Sequence, residues 1–572
     1  MKISNKIRYD NIIPSKYFFV KSRLIDVSDD EKIIQNNQVI QIVNLGKKRL
    51  TTLSFIILLL MMFGIYKSFS YSTKNYLFTV IPENKTKFSR GMILDRNNNI
   101  ISASIPSKDL YLKPSKIINE KKLKEKINFI IPNIDIETLD KIIKKGKYRL
   151  IKKHISKTVE SEILKMGEPA LIFQDTEKRV YPQNNLFSQI TGFVTKYNVA
   201  KSKLELSQNK ILERGKNLKL TVDLKLQSIF YEELSKGLDI FDAKAAAALM
   251  MNVNTGEILT MMSIPDYNPN FPSRISPFSE NNLITSARYE MGSTLKTFNI
   301  AMALENNLGI KRELFDVSNP YELTENYLVN DIIKLAEPAS LNDIFVNSSN
   351  IGSIKIFDKV GVGKQKEFFS KIKIDRDLKI DGLKIIKNKL PINWNQLSGR
   401  SLSFGYGASL TPISLVSAYA TLVNGGFYVK PKIIKDLEID RQKILSNYLS
   451  NEIRQLLNNV VLYGSGKKAN IKGIDIGGKT GTARKTNNKS YNDKVITSFV
   501  GIFPINEPKF IIFILFDEPK HENNLNYYGG NTAAPIFSNI LRRIAVDIKI
   551  YPKSKNYNLK ITNKRTQTDE TF

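Results

Sequence analysis

Ser293 and Lys296 lie three residues apart in the stretch Met-Gly-Ser-Thr-Leu-Lys-Thr-Phe-Asn-Ile, residues 291–300. On a helix that spacing puts a hydroxyl and an amine on one face, close enough to touch. A serine becomes a strong nucleophile when a base takes its proton, and lysine can be that base if burial or a second cation destabilises its ammonium. Composition points the same way. The chain has no cysteine, which excludes disulfides, thiolate nucleophiles and cysteine-bound zinc. Its two histidines, His154 and His521, are far apart in sequence, which argues against a metal cage or a Ser-His-Asp triad. Gly292 lets the backbone pass close just before the helix, and a serine at the helix N-terminus offers its own N–H to a developing oxyanion. The spacing alone is weak evidence, since it recurs at Ser207/Lys210, Ser370/Lys373 and Ser465/Lys468. Only the copy at 293 is followed by an apolar helical run, Thr297–Asn306.

Two further stretches carry groups that such a pair would need. Ser348, Ser349 and Asn350 read first as a helix N-cap, because serine and asparagine start helices. As chemistry, Ser348 and Asn350 alternate with Ser349, so both can enter one cleft. Ser348 could relay a proton to a leaving amine, while Asn350 could bind a substrate amide and steady Lys296. Residues 473–483, GIDIGGKTGTA, admit two readings. Gly473, Gly478, Lys479 and Thr480 satisfy a P-loop, and the apolar run Ile511–Glu518, ending in Asp-Glu, resembles the acidic strand that holds magnesium in ATPases. A P-loop joins a buried strand to a helix, and neither flank suits that, with GSGKKANIK before it and GTARKTNNKSYND after Thr480. On a strand instead, Lys479 and Gly481 share one side and Thr480 faces the other. Gly481 would leave room for a substrate backbone to add as a β-strand. Lys479 would supply a cation that lowers the pKa of Lys296 and attracts a carboxylate. Thr482 would offer a hydroxyl to that carboxylate and an N–H to the oxyanion.

These groups need elements to hold them. Residues 90–101 read as two short strands around a turn at Asn97–Asn99, and 110–170 as Lys/Glu-rich helices broken by Pro and Gly. A strand running into a helix at 218–227 follows a domain boundary. Residues 245–263 form a buried hairpin turning at Asn254–Gly256. Helices continue to about 470, strands return at 498–516, and the last twenty or so residues are polar. Near the N-terminus, Leu50–Tyr66 is a run of 17 residues without a charge, flanked by Lys47-Lys48-Arg49 and Lys67. It reads as a membrane helix, and with no small-residue cleavage site after it, as an uncleaved anchor. The basic cluster before it favours a cytoplasmic N-terminus and an external remainder. The net charge of +31 would suit an anionic partner. However, the lysines are scattered and not interleaved with aromatics, so the reading is compositional drift with no nucleic-acid partner.

The order S-x-x-K, S-x-N, K-T-G is that of serine β-lactamases and penicillin-binding proteins. From the anchor to about residue 540 the chain resembles a class B penicillin-binding protein, a monofunctional peptidoglycan D,D-transpeptidase. The resemblance is carried by RGMILDRN at 90–97, RVYPQNNLFSQITGFV at 179–194, TGEILTMMSIPDYNPN at 255–270, YEMGSTLKTF at 289–298, SFGYGASLTPISLVSAYATLVNGG at 403–426, GGKTGTA at 477–483, SFVGIFP at 498–504 and YYGGNTAAPIF at 527–537. Two departures, Met291 for the usual Pro and Asn98 for the usual Gly, do not touch the proposed chemistry. The resemblance implies an α/β (α+β) transpeptidase domain of the serine β-lactamase/penicillin-binding type, with a five-stranded antiparallel sheet between helices. An N-terminal membrane helix and a mixed pedestal domain would precede it. The expected boundaries are 1–49 cytoplasmic, 50–66 anchor, 67–215 pedestal, 216–550 transpeptidase and 551–572 tail. By resemblance Ser293 is the acylated nucleophile and Lys296 its base, with Ser348, Asn350 and Lys479 completing catalysis. Thr480, Gly481 and Thr482 would bind substrate, with Gly405 and Gly407 close by, and no metal or organic cofactor is needed. The substrate would be a stem peptide ending in D-Ala-D-Ala, β-lactams would be covalent inhibitors, and the catalytic domain would face outward from the bacterial inner membrane. The S-S-N and SFGYG stretches look more like the septal FtsI-type branch than the elongation branch, and an FtsW-type glycan polymerase is the implied partner. The anchor, the pedestal and the lack of S-D-N argue against a β-lactamase.

Overall fold

The computed structural model describes residues 49–67 and 89–551, except 133, 135, 307, 336–337, 436, 488–489 and 521–527. Residues 1–48, His521 and the tail beyond Tyr551 lie outside the described residues. The chain divides into two units, 1–87 and 88–572. In the first, a 19-residue helix spans Arg49–Lys67 with a mean hydropathy of 1.9, long and apolar enough to cross a membrane. Two of its hydroxyls bond back to the helix: Thr52 and Ser54 donate to the carbonyls of Arg49 and Leu50 at 2.9 and 2.8 Å.

Among the described residues the second unit holds two five-stranded sheets. The first begins with β1 (Ile93–Leu94) and β2 (Ile100–Leu112), joined by the expected asparagine turn. Asn98 takes the left-handed conformation at φ 70°, and the Asp95 carboxylate accepts the N–H groups of Asn97 and Asn99, both at 2.8 Å. Helices α1 (Glu120–Ile130), α2 (Ile136–Lys144) and α3 (Lys157–Lys165) contribute Leu123, Ile127, Leu139 and Ile163 to a small core under Leu110 and Leu112. The helical reading of 110–170 misses β3 (Arg149–Ile155), which pairs antiparallel with β2, as does β4 (Leu171–Val180) just after that stretch. The lysines of β3 hide the pattern, because a lysine on a half-buried strand can lay its aliphatic stem on the sheet and keep its ammonium in water. The last strand, β5 (Leu218–Lys219), pairs parallel with β1. Below the sheet, Glu205 is fully buried between Arg90 and Arg179, at 2.7 and 2.8 Å.

The second sheet has the order β8-β9-β10-β6-β7, antiparallel throughout. Its strands are β6 (Ala245–Asn252), β7 (Ile258–Ile264), β8 (Gly477–Asn487), β9 (Ser490–Phe503) and β10 (Phe510–Asp517). The β6–β7 hairpin turns where expected, with Gly256 at φ 71°. In the middle lies β10, whose uninterrupted apolar run reflects cover on both faces. Ile511, Phe513 and Leu515 join one hydrophobic cluster with α5 (Lys296–Asn306) and α9 (Pro412–Val423). Ile512, Ile514 and Phe516 join the other with α4 (Leu224–Ile240) and α11 (Ala533–Ile544). All six side chains are fully buried, each worth roughly 1.5–3 kcal/mol relative to exposure. The remaining helices that bear on the cleft are α6 (Leu341–Val346), α7 (Asn350–Val360), α8 (Gln396–Phe404) and α10 (Asn447–Leu462). This architecture removes the P-loop reading. Lys479 and Thr480 sit inside β8, paired with Val500 and Phe499, where a phosphate loop would need a turn into a helix.

Candidate active site

Ser293 sits in a 3-10 turn, Gly292–Leu295, that runs directly into α5 at Lys296. The turn is held by close backbone approaches that only glycine permits. Gly292 has φ 52°, and a Cβ there would come within 2.2 Å of the Thr482 carbonyl on β8. Behind it, Gly405 has φ 117° and terminates α8, and its Cβ would meet the Gly292 carbonyl at 2.2 Å. The structure thus sets Gly405 against the turn that carries Ser293. Gly407 joins it through Glu290, whose Oε1 accepts the Gly407 N–H at 2.8 Å and the Tyr491 hydroxyl at 3.3 Å.

Ser348 and Asn350 lie at the joint between α6 and α7. The N-cap reading of S-S-N holds. Ser349 caps α7, its Oγ accepting the Gly352 N–H at 2.8 Å, and the residues on either side turn toward Lys296. Lys296 Nζ donates to the Ser348 carbonyl at 2.5 Å, to Asn350 Oδ1 at 2.7 Å and to Ser348 Oγ at 3.3 Å. Lys479 Nζ reaches the same Ser348 Oγ at 2.9 Å. Those partners of Lys296 do not include Ser293 Oγ. Lys296, Ser348, Asn350 and Lys479 therefore form one bonded cluster, and Ser293 adjoins it one turn away along the same element.

Ser348 adopts φ 62°, a left-handed conformation that costs a non-glycine residue on the order of 1–3 kcal/mol. Asp331 offsets that cost, and no sequence spacing announces it. Its Oδ1 accepts the N–H groups of Asn350 and Ile351 at 2.5 and 3.1 Å, and its Oδ2 accepts the Ser349 hydroxyl at 2.5 Å. A carboxylate at the N-terminus of α7 also meets the positive end of the helix dipole.

Both lysines are out of water, Lys296 at 1 % exposure and Lys479 at 0 %. Burial pulls Lys296 well below the ordinary lysine value, the Lys479 charge lowers it further, and the Asp331 charge opposes both. Burial brings Lys479 down to about 7. Two ammonium groups bridged by one hydroxyl favour carrying a single positive charge between them. With Lys296 neutral, its two N–H bonds suffice for the Ser348 carbonyl and Asn350 Oδ1, and its lone pair is left to take a proton.

On β8 the expected sidedness holds. Thr480 points away from Lys479, is nearly buried, and its Oγ1 lies 2.7 Å from Ser465 Oγ. Gly481 departs from the expected reason for its presence. A Cβ there would strike Ser498 Oγ at 2.4 Å and the Met291 carbonyl at 2.8 Å, so the space it vacates is filled by β9 and the segment leading into the Ser293 turn. Thr482 Oγ1 accepts the Gly529 N–H at 3.1 Å, which leaves its own proton to donate. Besides Asp331, sequence reasoning missed Glu290 and the fully buried Tyr419 of α9, whose hydroxyl donates to the Thr294 carbonyl at 2.7 Å.

Comparison with known proteins identifies the family of the chain. A family model described as the penicillin-binding protein transpeptidase domain matches residues 246–542, and one described as the penicillin-binding protein dimerisation domain matches 85–218. The chain is 28% identical over 490 residues to a probable peptidoglycan D,D-transpeptidase FtsI of Caulobacter vibrioides, covering 82% of each. It is 27% identical over 493 residues to a probable peptidoglycan D,D-transpeptidase PenA of Neisseria meningitidis (79% of this chain, 83% of that one). It is 26% identical over 505 residues to the peptidoglycan D,D-transpeptidase FtsI of Escherichia coli K12 (81% and 84%). A crystal structure of a candidate peptidoglycan glycosyltransferase from Atopobium parvulum shares the fold, with a TM-score of 0.63 at 21% identity over 81% of this chain and 98% of that one. Since the transpeptidase match alone spans over half of the sequence, the chain belongs to the penicillin-binding protein transpeptidase family, as a class B member with a dimerisation domain ahead of its catalytic domain.

Proposed function

We propose that this peptidoglycan D,D-transpeptidase works through a Ser293 acyl-enzyme and serves septal wall synthesis. The observation that carries the mechanism is Ser348 Oγ lying between Lys479, at 2.9 Å, and a Lys296 whose ammonium is destabilised. Neutral Lys296 takes the Ser293 proton as Oγ attacks the carbonyl between the two terminal D-alanines. The N–H groups of Ser293 and Thr482 receive the oxyanion. As the C–N bond breaks, the proton on Lys296 passes through Ser348 to the departing D-alanine amine, and an ester to Ser293 remains. Lys479 keeps the Ser348 oxygen charged with a donor during that transfer and attracts the terminal carboxylate, to which Thr482 donates its hydroxyl. Asn350 binds a substrate amide and fixes the Lys296 amine. An amine of a neighbouring stem peptide then attacks the ester, its proton returns through Lys296 to Ser293 Oγ, and the cross-link forms.

The septal role draws on S-S-N and SFGYG in the sequence and on the FtsI relatives. An FtsW-type glycan polymerase is the partner that a monofunctional enzyme of this kind would need. The apolar helix at Arg49–Lys67 would anchor the protein once in the inner membrane, with the catalytic domain outside the cytoplasm.

Fluorescent penicillin tests the chemistry. Stable labelling that disappears in Ser293→Ala supports the acyl-enzyme, and rapid release of label would mean β-lactam hydrolysis instead. Depletion in growing cells tests the role: filaments support septal work, whereas round or swollen cells would assign the enzyme to elongation.

A further inference from the structure

We infer that Tyr419 is a positioning residue for the nucleophile, holding the Ser293 turn in the 3-10 geometry that brings Ser293 and Lys296 into line. The inference rests on the reading of Ser293 as the acylated residue.

The Tyr419 hydroxyl lies 2.7 Å from the Thr294 carbonyl and 2.7 Å from Thr297 Oγ1. A carbonyl can only accept, so the single phenolic proton goes to Thr294, and Thr297 must donate to the phenol oxygen. The direction Thr297 to Tyr419 to Thr294 is therefore fixed. The ring has no freedom to leave: it is fully buried and meets Phe298 edge-on at 5.2 Å between centroids. Burial also holds the phenol far above its ordinary pKa, so it remains a donor throughout the working pH range.

The geometry it protects matters to the chemistry. In a 3-10 helix residues three apart eclipse one another, whereas in an α-helix they stand about 60° apart around the axis. The Lys296 N–H bonds to the Ser293 carbonyl in the 3-10 pattern, so the two side chains start from the aligned arrangement. Such turns have poorer hydrogen-bond geometry than the α-helix and relax into it unless held. On the N-terminal side the turn is held by Gly292 against Thr482 and by Thr294 Oγ1 donating to the Met291 carbonyl at 2.8 Å. On the C-terminal side, toward Lys296, Tyr419 supplies a side-chain donor from α9.

Tyr419→Phe keeps the ring and removes the donor. Thr297→Val is the control, since it removes a hydroxyl from the same triangle but leaves the Tyr419–Thr294 bond. The full-length protein is reacted with penicillin over a concentration series, giving the first-order acylation rate, the dissociation constant of the initial complex and the pH profile, with thermal melts alongside. Tyr419→Phe is expected to slow the first-order step about tenfold. Its initial dissociation constant should stay within about twofold and its pH midpoint should not move, while Thr297→Val acylates near the wild-type rate with a similar loss in melting temperature. Wild-type acylation by Tyr419→Phe, or an equal slowing in both variants that follows their melting temperatures, would overturn the inference. Ser293→Ala is run beside them: labelling that survives it would sink the nucleophile assignment instead.

Discussion

Lys479 is a cation held where a cation is costly, so replacing it with methionine should make the protein more stable and inactive. Its side chain is fully buried, and burial lowers its pKa from near 10.4 to about 7. Each pKa unit is worth 1.36 kcal/mol, so at pH 7 the cost of keeping this lysine is on the order of 4 kcal/mol. Methionine forfeits the hydrogen bond to Ser348 Oγ, worth about 1 kcal/mol, and fills much the same volume. The expected net gain for Lys479→Met is about 2–3 kcal/mol, or roughly 5 °C in melting temperature for a domain of this size. The sign of the pH dependence follows from linkage. Between about pH 7 and 10.4 the unfolded chain holds a proton on this lysine that the folded chain does not. Wild-type stability therefore climbs with pH across that window, while the variant lacks this contribution. The advantage of methionine should be largest near pH 7 and vanish by about pH 10.4. Calorimetry across that range, with penicillin labelling on the same samples, reads both effects. A destabilised variant at pH 7, or a gain that does not change with pH, would refute the reasoning.

Other outcomes follow from the same geometry. Asp331→Asn should cost about 1.5–3 kcal/mol, because the amide offers one acceptor oxygen where the carboxylate uses two. The charge it removes favours the Lys296 ammonium, so the acid limb of the acylation profile should move to lower pH, and a shift upward would contradict the assignment. Gly481→Ala must displace either Ser498 or the Met291 carbonyl, and should lose both stability and acylation rate; substrate exclusion alone would leave the melting temperature unchanged. Ser348→Ala should slow acylation by about 10²–10⁴ while Ser293 remains the labelled residue. Glu205→Gln, which strips the charge between Arg90 and Arg179, should cost about 3–5 kcal/mol by denaturant titration without moving the pH profile of acylation.

What the sequence revealed and what it hid follow a physical line. Ser293 and Lys296 are legible because one helical turn joins them, and the apolar run after them shows that the face is buried. β8 is legible because glycine and threonine cannot continue a helix there, and β10 because an uninterrupted apolar run of strand length means cover on both faces. Asp331 is hidden because its partners at Ser349–Ile351 meet it through a loop with no periodicity. Tyr419 is hidden because a hydroxyl inside an apolar helix looks like any other core aromatic until the facing carbonyl is known. β3 reads as helix because its lysines mask a strand whose pattern depends on pairing with β2. The strand position of Gly481 is legible, yet the reason for a glycine there lies in the protein's own packing, which no local pattern carries.

The central claim is that Ser293 is the one hydroxyl that the buried lysine pair activates for acylation. The most direct measurement is mass mapping of the penicillin adduct on the intact protein after proteolysis. The account predicts one adduct on the peptide that carries Ser293, formed on the free amine side of a lysine titration that shifts when Lys479 is replaced. An adduct on Ser348 or Ser349, or a protein that takes up no penicillin while properly folded, would contradict it.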